Sequence, residues 1–148
     1  MTAGFPDAAR RLEADRPHLA ARALEVAIDL DPTIPERYDE LGLRRLLRDA
    51  EVYLDAIGVS VASNDPDHTR HWAETASPIY RRRRVPMDDL VTLGEGIRRS
   101  IATALSPEER VLADRAIDAA GRHYHALRRL GGDARRRNRI LAAIYKGG

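Results

Sequence analysis

Histidines are the first residues of this chain whose type and spacing could support chemistry. His68 and His71 lie three positions apart, so a helix would place them on adjacent parts of one face, where such a pair can share a metal ion. A stable site needs a third ligand and usually a fourth. The nearby Asp65 and Asp67 are better explained as acids beside a helix N-terminus. We therefore predict surface histidines here and no metal site.

His123 lies on an apolar stripe, next to Tyr124. A single histidine in such a position is typical of a core or interface residue with one hydrogen-bond partner, although it could also bind a cofactor or titrate as a pH switch. Carboxylate pairs occur at 88–89 and 108–109, but both fall in predicted first turns, where negative charge is stabilising. They do not form a repeated Glu-x-x-His pattern, which argues against a di-iron site.

Other catalytic signatures are missing from the sequence. It has no cysteine, which excludes thiol catalysis, iron–sulfur clusters and disulfides. It has no glycine-rich phosphate loop, no G-x-S-x-G and no H-E-x-x-H. We therefore predict a non-enzymatic protein with no catalytic residues.

The segment from Trp72 to Pro86 has the most distinctive composition. Trp72, Ala76, Ile79 and Tyr80 form an apolar stripe that ends at a short corner before Pro86. Trp72 is the only tryptophan, and it can serve either as a core anchor or as the wall of a pocket for a planar ligand. Trp72, Tyr80, His71 and His123 are therefore the candidate cofactor-binding residues.

Helical periodicity and proline-marked starts indicate the elements that would position these residues. Ser106 and Glu109 have capping-box spacing around Pro107, Thr33 and Glu36 have the same spacing, and Asp65 precedes Pro66. Strand patterns are almost absent. The predicted helices cover 7–14, 17–30, 36–63, 66–83, 87–105, 107–130 and a short C-terminal helix at 134–145.

These elements predict an all-α fold, a helical bundle of five to seven helices in a single domain over 1–148. The core is expected at about 17–130. Pro78 should kink or divide its helix because it removes a backbone hydrogen bond. Gly94 falls on a buried stripe, where a missing side chain would let a neighbouring helix approach closely.

Charge is unevenly distributed along the chain. Residues 1–67 hold 8 arginines against 14 acids, and residues 68–148 hold 17 basic residues against 9 acids. We expect the two halves to pack on each other or on a second copy, and the alternative is a polyanion site on the C-terminal half.

Two arginine runs, 81–84 and 135–137 with Arg139, could serve nucleic-acid binding. However, four consecutive helical residues point around the whole helix, and neither run has interleaved aromatics that could stack bases. We do not expect nucleic acid as the main partner. With no long apolar segment and no signal peptide, we expect a cytoplasmic protein without a membrane anchor.

The order of predicted helices resembles that of globin-type sensor domains, and so does the corner Tyr80-Arg-Arg-Arg-Arg-Val-Pro86. Helix 36–63 is similar to the E helix of these domains, helix 66–83 to the F helix, and helices 87–105 and 107–130 to the G and H helices. The resemblance covers roughly residues 17–130. Haem-binding members carry a proximal histidine about six residues before the corner proline.

This chain has Tyr80 at that position, which makes it more similar to the non-haem N-terminal domains of RsbR-type stressosome proteins. The resemblance implies a non-enzymatic helical sensor or interaction domain in bacterial signalling, acting as a homodimer with an as yet unknown protein partner. The first alternative is a protein that binds haem, a bilin or a corrinoid, because tyrosine can ligate ferric haem. The second is an arginine-rich nucleic-acid-binding accessory protein.

Overall fold

A computed structural model of the chain describes the backbone of residues 3–146 and the side chains of residues 3–128. Within these residues the fold is all-helical, which confirms the predicted helical bundle. The seven helices are α1 (Pro6–Ala14), α2 (Arg16–Leu30), α3 (Ile34–Arg37), α4 (Glu40–Ser63), α5 (Pro66–Arg82), α6 (Met87–Ile101) and α7 (Pro107–Lys146).

Helix α4 is the element around which the bundle is built, since it packs against α1, α2, α5 and α7. Helix α2 lies along α6, and α7 closes the bundle against α5 and α6. The core includes Ala8 and Leu12 of α1. It therefore begins earlier than the predicted limit at residue 17, and the predicted limit at residue 130 falls outside the described side chains.

Two of the three caps named above are formed, whereas Asp15 before α2, where a cap is also predicted, makes no side-chain cap bond. The Ser106 hydroxyl accepts from the backbone N–H of Glu109 at 3.2 Å, and the Glu109 carboxylate accepts from the backbone N–H of Ser106 at 2.8 Å. This reciprocal pair is the predicted capping box. The Asp65 carboxylate caps α5 by accepting from the backbone N–H of Asp67 at 3.0 Å.

The predicted helix at 36–63 is divided into α3 and α4, and the third cap is not formed. The Thr33 hydroxyl donates to Asp31 at 2.5 Å and accepts from Arg37 at 2.6 Å, so it makes no cap bond to α3. Tyr38 is extended, and α4 begins after Asp39, whose carboxylate accepts from the backbone N–H of Gly42 at 2.7 Å. An N-cap aspartate thus starts the long helix four residues later than predicted.

Proline and glycine interrupt fewer helices than predicted. Helix α5 continues through Pro78 to Arg82 without division. Pro78 and Glu74, the residue whose carbonyl loses its partner, are both exposed, so water can bind that carbonyl. The predicted separate helix at 134–145 is instead the last part of α7, which continues through Gly131 and Gly132 to Lys146. Glycine weakens a helix by only about 1 kcal/mol per residue, so two glycines do not have to end it.

The close approach of two helices occurs at Gly96 rather than at Gly94. A Cβ atom on Gly96 would lie 2.2 Å from the backbone oxygen of Ala23, so α6 touches the backbone of α2 there. At Gly94 the same atom would meet the Tyr53 hydroxyl at 3.0 Å. Gly94 therefore makes room for a side chain, and Gly96 makes room for a helix.

In the part of the chain that the structure describes, we find no helix that combines the length and the apolar character needed to cross a membrane.

Candidate functional site

Four aromatic side chains from three helices lie in the core or pack against it, and we call them the aromatic cluster: Tyr53 of α4, Trp72 and Tyr80 of α5, and Tyr124 of α7. The ring centroids of Tyr53 and Trp72 are 4.7 Å apart. Tyr124 meets Trp72 edge-on at 6.4 Å. Three of the four are buried, and Trp72 is half-buried at the rim. Trp72 and Tyr80, which were predicted to share an apolar stripe, both pack in or against the core of the bundle.

Burial controls the chemistry of the three tyrosines. It raises the pKa of Tyr53, Tyr80 and Tyr124 well above the ordinary value. Neighbouring tyrosines add to the rise for Tyr53 and Tyr124, and the Asp49 carboxylate adds to it for Tyr80. The three phenols therefore stay protonated across the physiological range. A tyrosine that ligates ferric iron must first lose this proton, so the surroundings of Tyr80 disfavour that role.

The cluster is also closed to a large planar ligand. Tyr53 is 1% exposed, Tyr80 4% and Tyr124 0%, so protein atoms already cover their rings. A tetrapyrrole beside Tyr80 would have to displace these packed side chains. The residues present therefore do not fit haem, a bilin or a corrinoid in the arrangement that the structure describes.

One hydroxyl of the cluster is unsatisfied. The Tyr124 oxygen is buried and has no hydrogen-bond partner among the described residues. A buried hydroxyl without a partner costs about 1–3 kcal/mol, and such groups are rare in folded proteins. The Tyr124 hydroxyl is therefore the group of the cluster that would gain most from a polar partner.

His123 lies beside the cluster and is held by α5. The Ser77 hydroxyl donates to the carbonyl of Ala73 at 2.5 Å and pairs with His123 Nε2 at 2.9 Å. Because the only hydroxyl proton is used on the carbonyl, Ser77 accepts from His123, which places a proton on Nε2. Burial lowers the pKa of His123, so the ring is neutral at neutral pH.

His71 does not join the other three candidate residues. It is exposed on α5, and its Nδ1 lies 3.5 Å from a carboxylate oxygen of Glu74 on the same helix. His68, which was considered with it as a metal-binding pair, has no suitable third ligand. The described residues include no group of three or more His, Cys, Asp or Glu placed to hold a metal ion.

A second group of polar residues lies where the 31–39 segment meets α5 and α6. Asp89 is 1% exposed and accepts from Arg37 at 2.6 and 3.2 Å and from the Tyr38 hydroxyl at 2.6 Å. Asp49 of α4 accepts two 2.9 Å bonds from Arg83. Each carboxylate is thus bound by the guanidinium group of another segment, an arrangement that fixes the segments to one another.

Sequence reasoning placed Asp89 in a first turn but missed its burial, and it did not single out Asp49 at all. The available signal was the spacing of Asp49 from Leu46 and Tyr53, which puts an acid on the buried face of α4. Such a position requires a basic partner. The arginine run 81–84 supplies it, since Arg83 turns inward while its three neighbours are exposed.

The two halves of the chain pack on each other, as α2 with α6 and α4 with α7 illustrate. Their net charges do not explain this packing. Three long-range ion pairs join the halves among the described residues. In one of them, Arg83–Asp49, the arginine comes from the basic half, as predicted. The other two, Arg11–Glu109 and Arg37–Asp89, take the arginine from the acidic half.

The molecular surface has one helix on which exposed apolar side chains are concentrated. Six large apolar side chains in the described part of the chain are at least 40% exposed. Leu41, Val52 and Val59 all lie on α4, and the other three lie one each on α2, α5 and α7. We call the exposed stripe of α4 the α4 outer face, and its members are Leu41, Arg45, Arg48, Val52, Asp55 and Val59.

The sequence matches no protein-family model, and no curated protein is significantly similar to it.

Proposed function

We propose that this chain is a non-enzymatic helical sensor or interaction domain of bacterial signalling that acts as a homodimer. The observation that carries the proposal is the α4 outer face. Leu41, Val52 and Val59 are 53%, 40% and 47% exposed on one helix. Apolar side chains grouped on one surface are typical of a site of protein association, whereas single exposed ones are ordinary.

The polar interior supports an interaction role over catalysis. Asp49, Asp89 and Glu109 are buried acids, and each accepts a hydrogen bond from an arginine of another segment. Carboxylates used in this way hold helices in place. The signalling context rests on the resemblance of the Tyr80–Pro86 corner to that of sensor domains.

The sensing role is supported by the aromatic cluster. Trp72 is half-buried at its rim, and the hydroxyl of the neighbouring Tyr124 has no partner among the described residues. A small polar molecule that moved Trp72 aside could accept a hydrogen bond from Tyr124 and stabilise a different packing of α5 against α7. Since Trp72 is the only tryptophan, its fluorescence would report such a change directly.

Sedimentation velocity of the unmodified chain tests the homodimer. We expect the weight-average sedimentation coefficient to rise from the monomer value at low micromolar concentration towards the dimer value at several hundred micromolar. A monomer at every concentration would contradict the proposal.

Hemin titration of the same sample tests the tetrapyrrole alternative. We expect no Soret band that grows to a one-to-one endpoint, because the tyrosine rings are already covered. A stoichiometric band that Tyr80→Phe abolishes would instead favour haem binding.

A further inference from the structure

The α4 outer face has a regular spacing. Its six residues follow one another at intervals of four, three, four, three and four positions. On an α-helix these intervals keep all six side chains within an arc of about 80°. The stripe therefore presents one narrow, straight seam of the kind that a second helix can cover.

The intervals read the same in both directions, so the seam matches itself when a second copy lies antiparallel and centred on residue 50. Leu41 then faces Val59 of the partner subunit, and Arg45 faces Asp55 of the partner subunit. Each contact occurs twice, because a two-fold axis makes both subunits contribute the same surface. Apolar residues thus meet at the two ends, opposite charges meet inside them, and at the centre Arg48 lies beside Val52 of the partner subunit.

The charged residues of the seam are available for these contacts. Arg45 and Arg48 have no ion-pair partner among the side chains that the structure describes. Asp55 is held by a single nitrogen of Arg16, at 3.0 and 2.9 Å from its two oxygens. A carboxylate can accept further bonds beyond this one, so Asp55 can also accept from Arg45 of the partner subunit.

A parallel pairing of the same helix would be unfavourable. It would place Arg45, Arg48 and Asp55 each against its own copy in the partner subunit. Like charges that face each other across a helix pair are repulsive. The charge pattern therefore selects the antiparallel arrangement.

We infer that the α4 outer face is the homodimer interface of this protein, with a second copy of the chain docked antiparallel about residue 50. This inference rests on the proposed homodimer and adds its surface and register. The seam has three apolar side chains per subunit, fewer than in obligate dimers, so we expect a reversible dimer in the micromolar range.

Val59→Glu is the first test, with Val111→Glu as its matched control. Both valines are 47% exposed on helices, but only Val59 lies on the seam. Sedimentation velocity of the full chain should show Val59→Glu weakening the dimer by at least about tenfold and Val111→Glu leaving it unchanged. Equal dimerisation of the two variants would overturn the inference.

Charge exchange tests the register. Arg45→Glu alone places two acids opposite each other, and Asp55→Arg alone places two arginines opposite each other. Each variant should therefore be monomeric at concentrations where the unmodified chain dimerises. An equimolar mixture restores both attractive contacts and should form a heterodimer.

Thermal unfolding of each variant confirms that it is folded. Because Asp55→Arg also removes the partner of Arg16, Arg45→Glu and Val59→Glu are decisive if Asp55→Arg proves unstable.

The outcomes separate the two claims. If the unmodified chain stays monomeric, the homodimer itself is wrong, and the interface proposed for it is wrong as well. If the unmodified chain dimerises while Val59→Glu and Arg45→Glu dimerise equally well, the homodimer stands and the interface proposed here is wrong. Loss of the dimer in both variants with recovery in the charge-exchanged mixture supports the interface and its register.

Discussion

Two buried side-chain atoms lack a hydrogen-bond partner among the described residues, the Nε of Arg16 and the hydroxyl of Tyr124. The Arg16 group belongs to a guanidinium that is bound to Asp55 through another nitrogen. Tyr124 has no second polar atom, so its hydroxyl carries the whole desolvation penalty. Tyr124 is therefore the clearest case, among the described residues, of a buried polar group without a hydrogen-bond partner.

Tyr124→Phe removes that hydroxyl and should stabilise the fold by about 1–3 kcal/mol, because it deletes a buried group that gains no bond on folding. The matched control is Tyr38→Phe, which loses a 2.6 Å bond to the buried Asp89 and should destabilise the fold by a similar amount. Urea unfolding of both variants measures the difference. Destabilisation by Tyr124→Phe would show that the hydroxyl has a partner.

His123 should make stability depend on pH. Burial lowers its pKa below the ordinary 6.5, so near and below pH 6.5 the unfolded chain binds a proton that the folded chain resists. The contribution of His123 is therefore fully present above pH 6.5 and is lost as the pH falls. His123→Gln keeps a donor for Ser77 but cannot titrate. This substitution should reduce the fall in unfolding free energy between pH 7.5 and 5.5. An unchanged pH profile would argue against a lowered pKa of His123.

Among the helices, the contact between α2 and α6 is the one that depends on a missing side chain. Gly96 lies directly against the backbone of Ala23. Backbone atoms cannot move aside as a flexible side chain can. The separation of the two helices is therefore fixed by this one residue.

Gly96→Ala should destabilise the fold by at least about 2 kcal/mol, because the new methyl group overlaps the α2 backbone. Gly121→Ala is the control, since a Cβ there meets nothing within 4 Å and should stabilise α7 by up to about 1 kcal/mol. Chemical denaturation compares them. If both substitutions stabilise the fold, α2 and α6 are not in backbone contact at this point.

Local rules predicted the helices well and their ends less well. Ser106 and Glu109 need only each other to form a cap, so their spacing was sufficient. The Thr33 hydroxyl is instead engaged by Asp31 and Arg37. Arg37 also reaches Asp89, which lies 52 positions later in the sequence. A local pattern cannot reveal a competing partner that the tertiary fold supplies.

The candidate site was also predictable only in part. Periodicity placed Trp72 and Tyr80 on one stripe and His123 on another, and the structure brings these stripes together between α5 and α7. Exposure of His71 was not evident, because a residue at the edge of an apolar stripe can face either way. The burial of Asp49 required knowledge of its distant partner Arg83.

For the molecule as a whole, the opposite net charges of the two halves have a smaller structural role than expected. The long-range ion pairs between the halves in the described part of the chain run in both senses. Apolar packing of α4 against helices of both halves joins them instead. The outer face of this same helix carries half of the large exposed apolar side chains described, which links the core of the bundle to its proposed dimer surface.

Disulfide cross-linking at the α4 outer face tests the proposed dimer most directly, because the chain has no cysteine of its own. Leu41→Cys and Val59→Cys are made as separate variants, mixed in equal amounts and oxidised. In the antiparallel dimer the two positions face each other, whereas two copies of either one are about 27 Å apart along the seam. We predict a cross-linked dimer in the mixture and not in either variant alone. Cross-linking within the single variants, or none in the mixture, would contradict the proposed dimer.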